Sequence, residues 1–443
     1  MSITYLTETE FSIQSLIDEK KIVESDACDI ELALELSRSN RRKKINFVGL
    51  IETPGRVLFS LPKFHHGKNE TTAKLIIKLM RRISKENKNS KCPADAQLFD
   101  QKKNEGHLSR INIASFILED FYTNGLLSIR RSYLKYSDTR TPDWGRTIQN
   151  RYALHSESGP IYEKWISKHT ERTEHKVITE IHRAIVTKCS NLYGELAGYP
   201  SNPILGSSTR STVITTALPI LRSVMRRTFF MRETQILKAL INWIEEEHYS
   251  GVKFFGTQYF HTIWEKICSS LFSDVKKSDN WKDVMPLPEW RIWKTSKVYC
   301  SEGKFIIDAL TELPDKKGIL LLDAKYYRVK PSQDGRVSGP GVGDISKQLH
   351  YEDLVFTSNT FTTLFGEDRS KIINCFVFPV GSNALDLFPF GEIKIPRITK
   401  NRIVCVNLSG VRAIQRYLNN QLFTHSELRD FNILIDQTTA SLP

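Results

Sequence analysis

Two apolar runs that each end in a carboxylate, joined by a turn, constrain this chain more than any other feature. They are Gly303-Lys-Phe-Ile-Ile-Asp308 and Ile319-Leu-Leu-Leu-Asp323-Ala-Lys325. The connecting Thr311-Glu-Leu-Pro-Asp-Lys-Lys-Gly318 has the Pro and Gly of a hairpin loop. With that loop centred between Asp315 and Lys316, Asp308 lies directly opposite Asp323 on a paired strand. Residues two apart on a strand share a face, so Asp323 and Lys325 project together. Two carboxylates and an ammonium then converge at the rim of a buried sheet, which makes a divalent-metal site with a catalytic cation beside it. A structural salt bridge between Asp323 and Lys325 is the plainer alternative.

The triplet alone carries little weight. Asp18-Glu-Lys20, Asp274-Val-Lys276, Asp315-Lys-Lys317 and Glu392-Ile-Lys394 have the same spacing. Only Asp323-Ala-Lys325 ends a four-residue apolar run with a second acid-tipped segment just upstream. Charges at the end of a buried strand are costly to desolvate unless they are paired or metal-bound. Two close carboxylates repel, and a hard cation such as Mg²⁺ relieves that repulsion through oxygen ligands. A metal so held lowers the pKa of a bound water and neutralises charge developing on a phosphate. Lys325 would orient or help deprotonate the water and stabilise the transition state. Scattered histidines and the lack of Cys/His spacing argue against zinc.

The length of 443 residues allows two or three domains. No segment approaches the roughly 18 uncharged apolar residues of a membrane span, and the N-terminus lacks a signal-peptide layout. The seven cysteines are dispersed, without a Cys-x-x-Cys pair, as expected of reduced thiols in a cytoplasmic protein. The net charge of +13 favours a polyanionic partner, although a merely soluble basic surface explains it equally well.

The first forty residues read as helical. Residues 45–61 read as a β-hairpin around Thr53-Pro-Gly-Arg56. Leu75, Ile76, Leu79 and Ile83 recur at helical spacing beside Lys74, Lys78, Arg81, Arg82 and Lys85, either a phosphate-contacting face or a solvated one. Lys85 to Gly106 reads as a loop, 108–135 as helical, and 160–248 as largely helical. A helix over 257–272, the carboxylate hairpin and further β-runs at 372–378 and 402–407 follow. The expected domains are an α+β region at 1–135, a mainly helical region at 136–245, and a catalytic domain at 246–443 that ends in a helix.

Asp308 with Asp323-Ala-Lys325 resembles the PD-(D/E)xK nuclease signature, with Ile307 where the name-giving proline stands. The resemblance implies an α/β fold: a C-terminal core with a mixed central sheet flanked by helices, after an α+β N-terminal and a helical middle region. It also implies a glutamate from an upstream helix. Glu265 fits on the flank of the Phe260, Trp264, Ile267 and Leu271 stripe, unless it is an ordinary surface carboxylate. Asp344-Ile-Ser-Lys-Gln348-Leu-His-Tyr351 is similar to the glutamine-bearing helix of many members. Gln348 would there orient water or a DNA phosphate, or else be a polar residue on a helix surface. The 45–61 hairpin leading to Leu61-Pro-Lys-Phe64, and Asp143-Trp-Gly-Arg-Thr-Ile148, resemble segments of LlaJI-type restriction endonucleases, which are similar to McrC. That likeness implies a Mg²⁺-dependent deoxyribonuclease, with Mn²⁺ an alternative, held by Asp308, Asp323 and Glu265 and leaving 5′-phosphates. It implies double-stranded DNA as substrate, an AAA+ GTPase (McrB-like) subunit docked on the N-terminal region, and a cognate DNA methyltransferase. No Gly-x-x-x-x-Gly-Lys-Ser/Thr loop occurs, so the motor is expected on another polypeptide. Arg328 and Lys330 are candidate phosphate contacts. A stand-alone repair or recombination nuclease and a non-catalytic DNA-binding scaffold remain the competing functions.

Overall fold

The computed structural model describes residues 3–34, 42–53, 56–65, 69–88, 110–128, 131–137, 141–171, 173–200, 217–247, 252–275, 281, 284–292, 297–301, 305–381, 387–396 and 402–440. The chain forms two compact units. One is Lys103–Gly251, and the other joins Ser2–Lys102 to Val252–Pro443.

The larger unit is discontinuous because a strand pair stitches its two segments together. Strands β1 (Ile3–Thr7), β2 (Val48–Thr53), β3 (Arg56–Leu61) and β4 (Lys253–Thr257) form a sheet in the order β1-β3-β2-β4. The expected hairpin is β2 with β3, in antiparallel register from Gly49↔Ser60 to Thr53↔Arg56. Its other side pairs with β4, and there Gly49 faces Gly256. A Cβ on Gly49 would collide with the Phe255 carbonyl, and one on Gly256 with that of Val48. Glycine is therefore what lets these backbones approach. The first forty residues are not wholly helical. Ile3-Thr-Tyr-Leu-Thr7, rich in β-formers, runs parallel to β3 before α1 (Ile13–Asp18) and α2 (Glu24–Ala33). Helix α3 (Asn69–Lys88) buries Ile76, Leu79 and Ile83 as their spacing predicts. It runs three residues beyond the expected start of the 85–106 loop, most of which lies outside the described residues.

The second sheet contains β5 (Ala309–Glu312), β6 (Ile319–Ala324), β7 (Ile372–Val380), β8 (Leu387–Lys394) and β9 (Arg402–Ser409), in the order β5-β6-β7-β9-β8. β6, β7 and β9 run parallel, and both edge strands are antiparallel to their neighbours. The fold is thus mixed α/β. Leu320, Leu321 and Leu322 are at most 1% exposed, consistent with a strand covered on both faces. Each contributes roughly 1.5–3 kcal/mol by burial. Helix α4 (Phe260–Leu271) packs on β6, while α5 (Val342–Phe356) packs on β7 and β9. On one face Leu310, Ile319 and Leu321 join Tyr351 and Val355 of α5 in a single cluster. Helix α4 starts at Phe260 rather than 257, because Thr257 still belongs to β4. Beyond α6 (Asn359–Phe365), the chain ends in α7 (Gly410–Leu418) and the expected C-terminal helix α8 (His425–Ala440).

The smaller unit is more mixed than the helical pattern predicts. A helix over Arg110–Asn124 is followed by a strand over Arg131–Ser137, antiparallel to Trp165–Glu171. It also holds helices Trp144–Asn150, Thr173–Ala197, Ala217–Met225 and Met231–Glu247 and a short ribbon, Leu154–Ser156 paired with Gly159–Ile161. Leu127 donates its backbone N–H to His182 Nδ1 at 2.9 Å, and the ring is fully buried. No described helix is long and apolar enough to cross a membrane.

Candidate active site

The carboxylate hairpin forms, though not from two acid-tipped strands. β5 begins after Asp308, and residues 305–308 are irregular; Gly303 and Lys304 lie outside the described residues. The register nevertheless runs from Glu312↔Ile319 to Ala309↔Leu322, so its next step sets Asp308 opposite Asp323. Asp308 is fixed there because its Oδ2 accepts the Ala324 N–H at 2.7 Å. Lys325 extends β6 by donating its own N–H to the Val377 carbonyl at 2.9 Å. Its ammonium lies 2.9 Å from Asp323 Oδ2, so the shared face expected from the spacing is present. Asp323 and Lys325 side chains are each 14% exposed.

Burial, and next the charge of Asp323, push the Asp308 carboxyl up to about 7. Two like-charged carboxyls this close favour the protonated form of Asp308. Glu265 comes from α4, whose Phe260, Trp264, Ile267 and Leu271 are buried as expected. Burial first and Asp323 second raise the Glu265 pKa, while Lys325 and Lys347 oppose the rise. Glu265 is therefore within electrostatic reach of the pair. Burial works against the Lys325 ammonium, yet its contacts with Asp323 and Asp344 outweigh that and raise its pKa.

The oxygen-only donors and the mutual repulsion of Asp308 and Asp323 fit a hard divalent cation. Among the described residues, however, no three His, Cys, Asp or Glu side chains are grouped so as to hold a metal ion. The structure unites Asp308, Asp323 and Lys325 and leaves Glu265 outside such a group.

A model of the LlaJI restriction endonuclease family matches residues 47–410. The chain belongs to that family. The Type II restriction enzyme BsuMI component YdjA of Bacillus subtilis (strain 168) is 25% identical over 403 residues, which is 87% of this chain and 83% of that relative. A chain from the assembly of Thermococcus gammatolerans McrB AAA+ hexamers with bound McrC is 14% identical, with a TM-score of 0.38. That match covers 99% of this chain and 100% of the other. A chain of the McrBC complex from the same organism is 12% identical over 60% of this chain and 85% of its own, with a TM-score of 0.26.

Two features of this LlaJI-family chain escaped the residue pattern. Asp344, in the first turn of α5, places Oδ1 2.9 Å from the Lys325 ammonium. Lys347, one turn on, is exposed and feels the Asp323 charge. The sequence places a Gly-rich run before a helix but does not show that the helix start meets Lys325.

Other candidates lie apart from the carboxylates or are already engaged. Gln348 is fully buried, and its Nε2 donates to Asn374 Oδ1 at 2.7 Å and to the Cys375 carbonyl at 3.5 Å. It is therefore not a surface residue, and these bonds tie it to β7 rather than to the carboxylates. Arg328 donates to Glu10 Oε1 at 2.8 Å. Lys330 is exposed on a short ribbon, 330–331 paired with 337–338. Tyr326, adjacent to Lys325, is buried and donates its hydroxyl to Glu8, with the Lys63 ammonium 3.9 Å from its ring centroid. Glu8 and Glu10 precede the residues that the family model matches.

Proposed function

We propose that this chain is the nuclease subunit of a cytoplasmic restriction system and hydrolyses phosphodiester bonds of double-stranded DNA with Mg²⁺, leaving 5′-phosphates. The observation that carries this reading is the meeting of Asp308, Asp323 and Lys325 at one end of a buried sheet, in a chain of a restriction endonuclease family. The PD-(D/E)xK core is part of the proposal, and β5–β9 with α4 and α5 are the elements that would make it.

Asp308 and Asp323 would hold the cation, and Glu265 would reach it through water or after a side-chain rearrangement. When bound, the metal supplies a more acidic water and a counter-charge for the phosphate. Lys325 orients the attacking water and stabilises charge on the phosphoryl oxygens through an N–H aimed from a nearly dry site. Lys347, exposed on the same side of α5, adds positive charge where the DNA backbone would pass.

An AAA+ GTPase partner is the second part of the proposal. Two facts support it: the sequence contains no Gly-x-x-x-x-Gly-Lys-Ser/Thr motif, and the Bacillus subtilis relative is itself named a component of its enzyme. The β2–β3 hairpin lies in the middle of its sheet, paired on both sides, so docking would use the surface around it. A DNA methyltransferase protecting host DNA completes the proposed system.

Asp323→Ala and Lys325→Ala should each abolish Mg²⁺-dependent plasmid cleavage while leaving folding and partner binding nearly intact. Cleavage at the wild-type rate by the purified Asp323→Ala complex would sink the assignment.

A further inference from the structure

A lysine that orients water must be held as firmly as the water it orients. The Lys325 ammonium has three N–H donors. One meets Asp323 Oδ2 and another Asp344 Oδ1, both at 2.9 Å. The first partner is two residues away on the same strand. The second arrives from a different element, the first turn of α5, after Gly339-Pro-Gly-Val-Gly343. Asp344 is itself anchored, because its Oδ2 accepts the Gly341 N–H at 3.3 Å. A carboxylate in this first turn is also favoured by the helix dipole.

With Asp323 alone, Lys325 would swing about a single contact and sit over the carboxylate proposed to bind metal. The second carboxylate draws the ammonium toward α5 and fixes the direction of the third N–H. We propose that Asp344 is the positioning residue for Lys325, holding its ammonium beside Asp323 so that one N–H remains aimed at the water or phosphate. This rests on the role given to Lys325 above. Asp344 touches neither DNA nor metal in this scheme and acts through the lysine. Closing the N-terminus of α5 is its merely structural job, and the two jobs use different oxygens.

Asp344→Asn keeps the shape and an acceptor for Gly341 but removes the charge that grips Lys325. In the full-length chain with its partner fraction, plasmid cleavage by Asp344→Asn should lose about 10–100-fold in kcat, the range seen when groups orienting a catalytic ligand are removed. KM for DNA should stay within about twofold, and the melting temperature should not move. Asp344→Glu, which restores the charge, should recover part of the rate. Wild-type kcat in Asp344→Asn, or a rate loss matched by a fall in melting temperature and not rescued by Asp344→Glu, would leave Asp344 as a helix cap only and overturn the inference. Lys325→Ala is measured in parallel: if it cleaves at the wild-type rate, the nuclease reading falls and this inference with it. If it is inactive while Asp344→Asn is not, only the positioning role fails.

Discussion

Helix α5 presents two polar clusters to the second sheet, one turn apart, and they are built on opposite principles. At its start, Asp344 meets Lys325 beside the Asp308–Asp323 pair, where like charges are crowded. One turn later, Gln348 Nε2 bonds Asn374, and Asn374 Nδ2 donates to Glu352 Oε2 at 2.8 Å and to the Gln348 carbonyl at 3.3 Å. Arg369 lies 3.6 Å from Glu352 on its outer side. The inner network is nearly satisfied, with only the Gln348 Oε1 buried and unpartnered among its side-chain atoms. Such a network specifies how α5 seats on β7. The outer cluster crowds like charge, and under the proposed function a cation would offset it. Proximity to the Asp308–Asp323 pair along a helix therefore does not define a shared role.

The sharpest way to break this contrast is to remove charge from each cluster in turn. Asp308→Asn should reduce cleavage by at least about 10³-fold, since a metal-ion contribution of several kcal/mol would be lost. The same variant should be no less stable than wild type without metal, because it relieves repulsion. If it melts well below wild type while cutting normally, the outer cluster is structural and the contrast collapses.

Stability against pH tests the same point with a smaller effect. Asp308 has its folded-state pKa raised, by burial and then by Asp323, to about 7 from an ordinary 3.8. The folded state therefore binds the proton more tightly, and this contribution is complete below about pH 4 and lost as pH rises through 7. Metal-free wild type should lose roughly 2–4 kcal/mol across that window relative to Asp308→Asn in urea titrations. Added Mg²⁺ should restore more stability at pH 8 than at pH 5, since cation and proton compete for the pair. A parallel pH profile for both proteins would refute this account of Asp308.

For the inner network, Asn374→Ala removes the 2.7 Å partner of Gln348 Nε2 and leaves a Glu352 oxygen without its donor, at a cost of about 2–3 kcal/mol. The folded fraction should retain a kcat within a few-fold of wild type. A collapse of kcat with unchanged stability would return Gln348 to the catalytic role that its motif predicts.

The hairpin was legible because its signals were local: an unbroken apolar run, a Pro/Gly turn, and two acids symmetric about it. Asp308 needed only the register, and it falls opposite Asp323 even though residues 305–308 are not in a strand. The α4 stripe that carries Glu265 was legible by period. Long-range partners were not. Nothing near Lys325 in sequence points to Asp344, 19 residues away, or to Glu8 under Tyr326, 318 residues away. β1 was missed because five residues have too short a period to declare a strand until β3 supplies its ladder. The strand Arg131–Ser137 was missed for the same reason, since its partner begins at Trp165.

The smallest expected effect separates the two basic residues beyond the site. Arg328 and Lys330 are two apart and equally suggestive in sequence, yet only Arg328 has a carboxylate on it, Glu10 at 2.8 Å. An exposed pair of this kind is worth under about 1 kcal/mol, so it offers little to fold stability. Its consequence is for DNA: a guanidinium already matched by Glu10 has less charge to give to a phosphate, and freeing it costs that pair. Lys330 Nζ is not so held, although it too lies in the field of Glu10. Each phosphate contact contributes about one unit to the salt dependence of binding. Lys330→Ala should therefore lower the slope of log K against log salt by about one, Arg328→Ala by clearly less, and Glu10→Gln should raise it. Equal losses from both basic variants, with no gain from Glu10→Gln, would mean that DNA displaces Glu10 at no cost and that the ion pair does not set which cation touches the backbone.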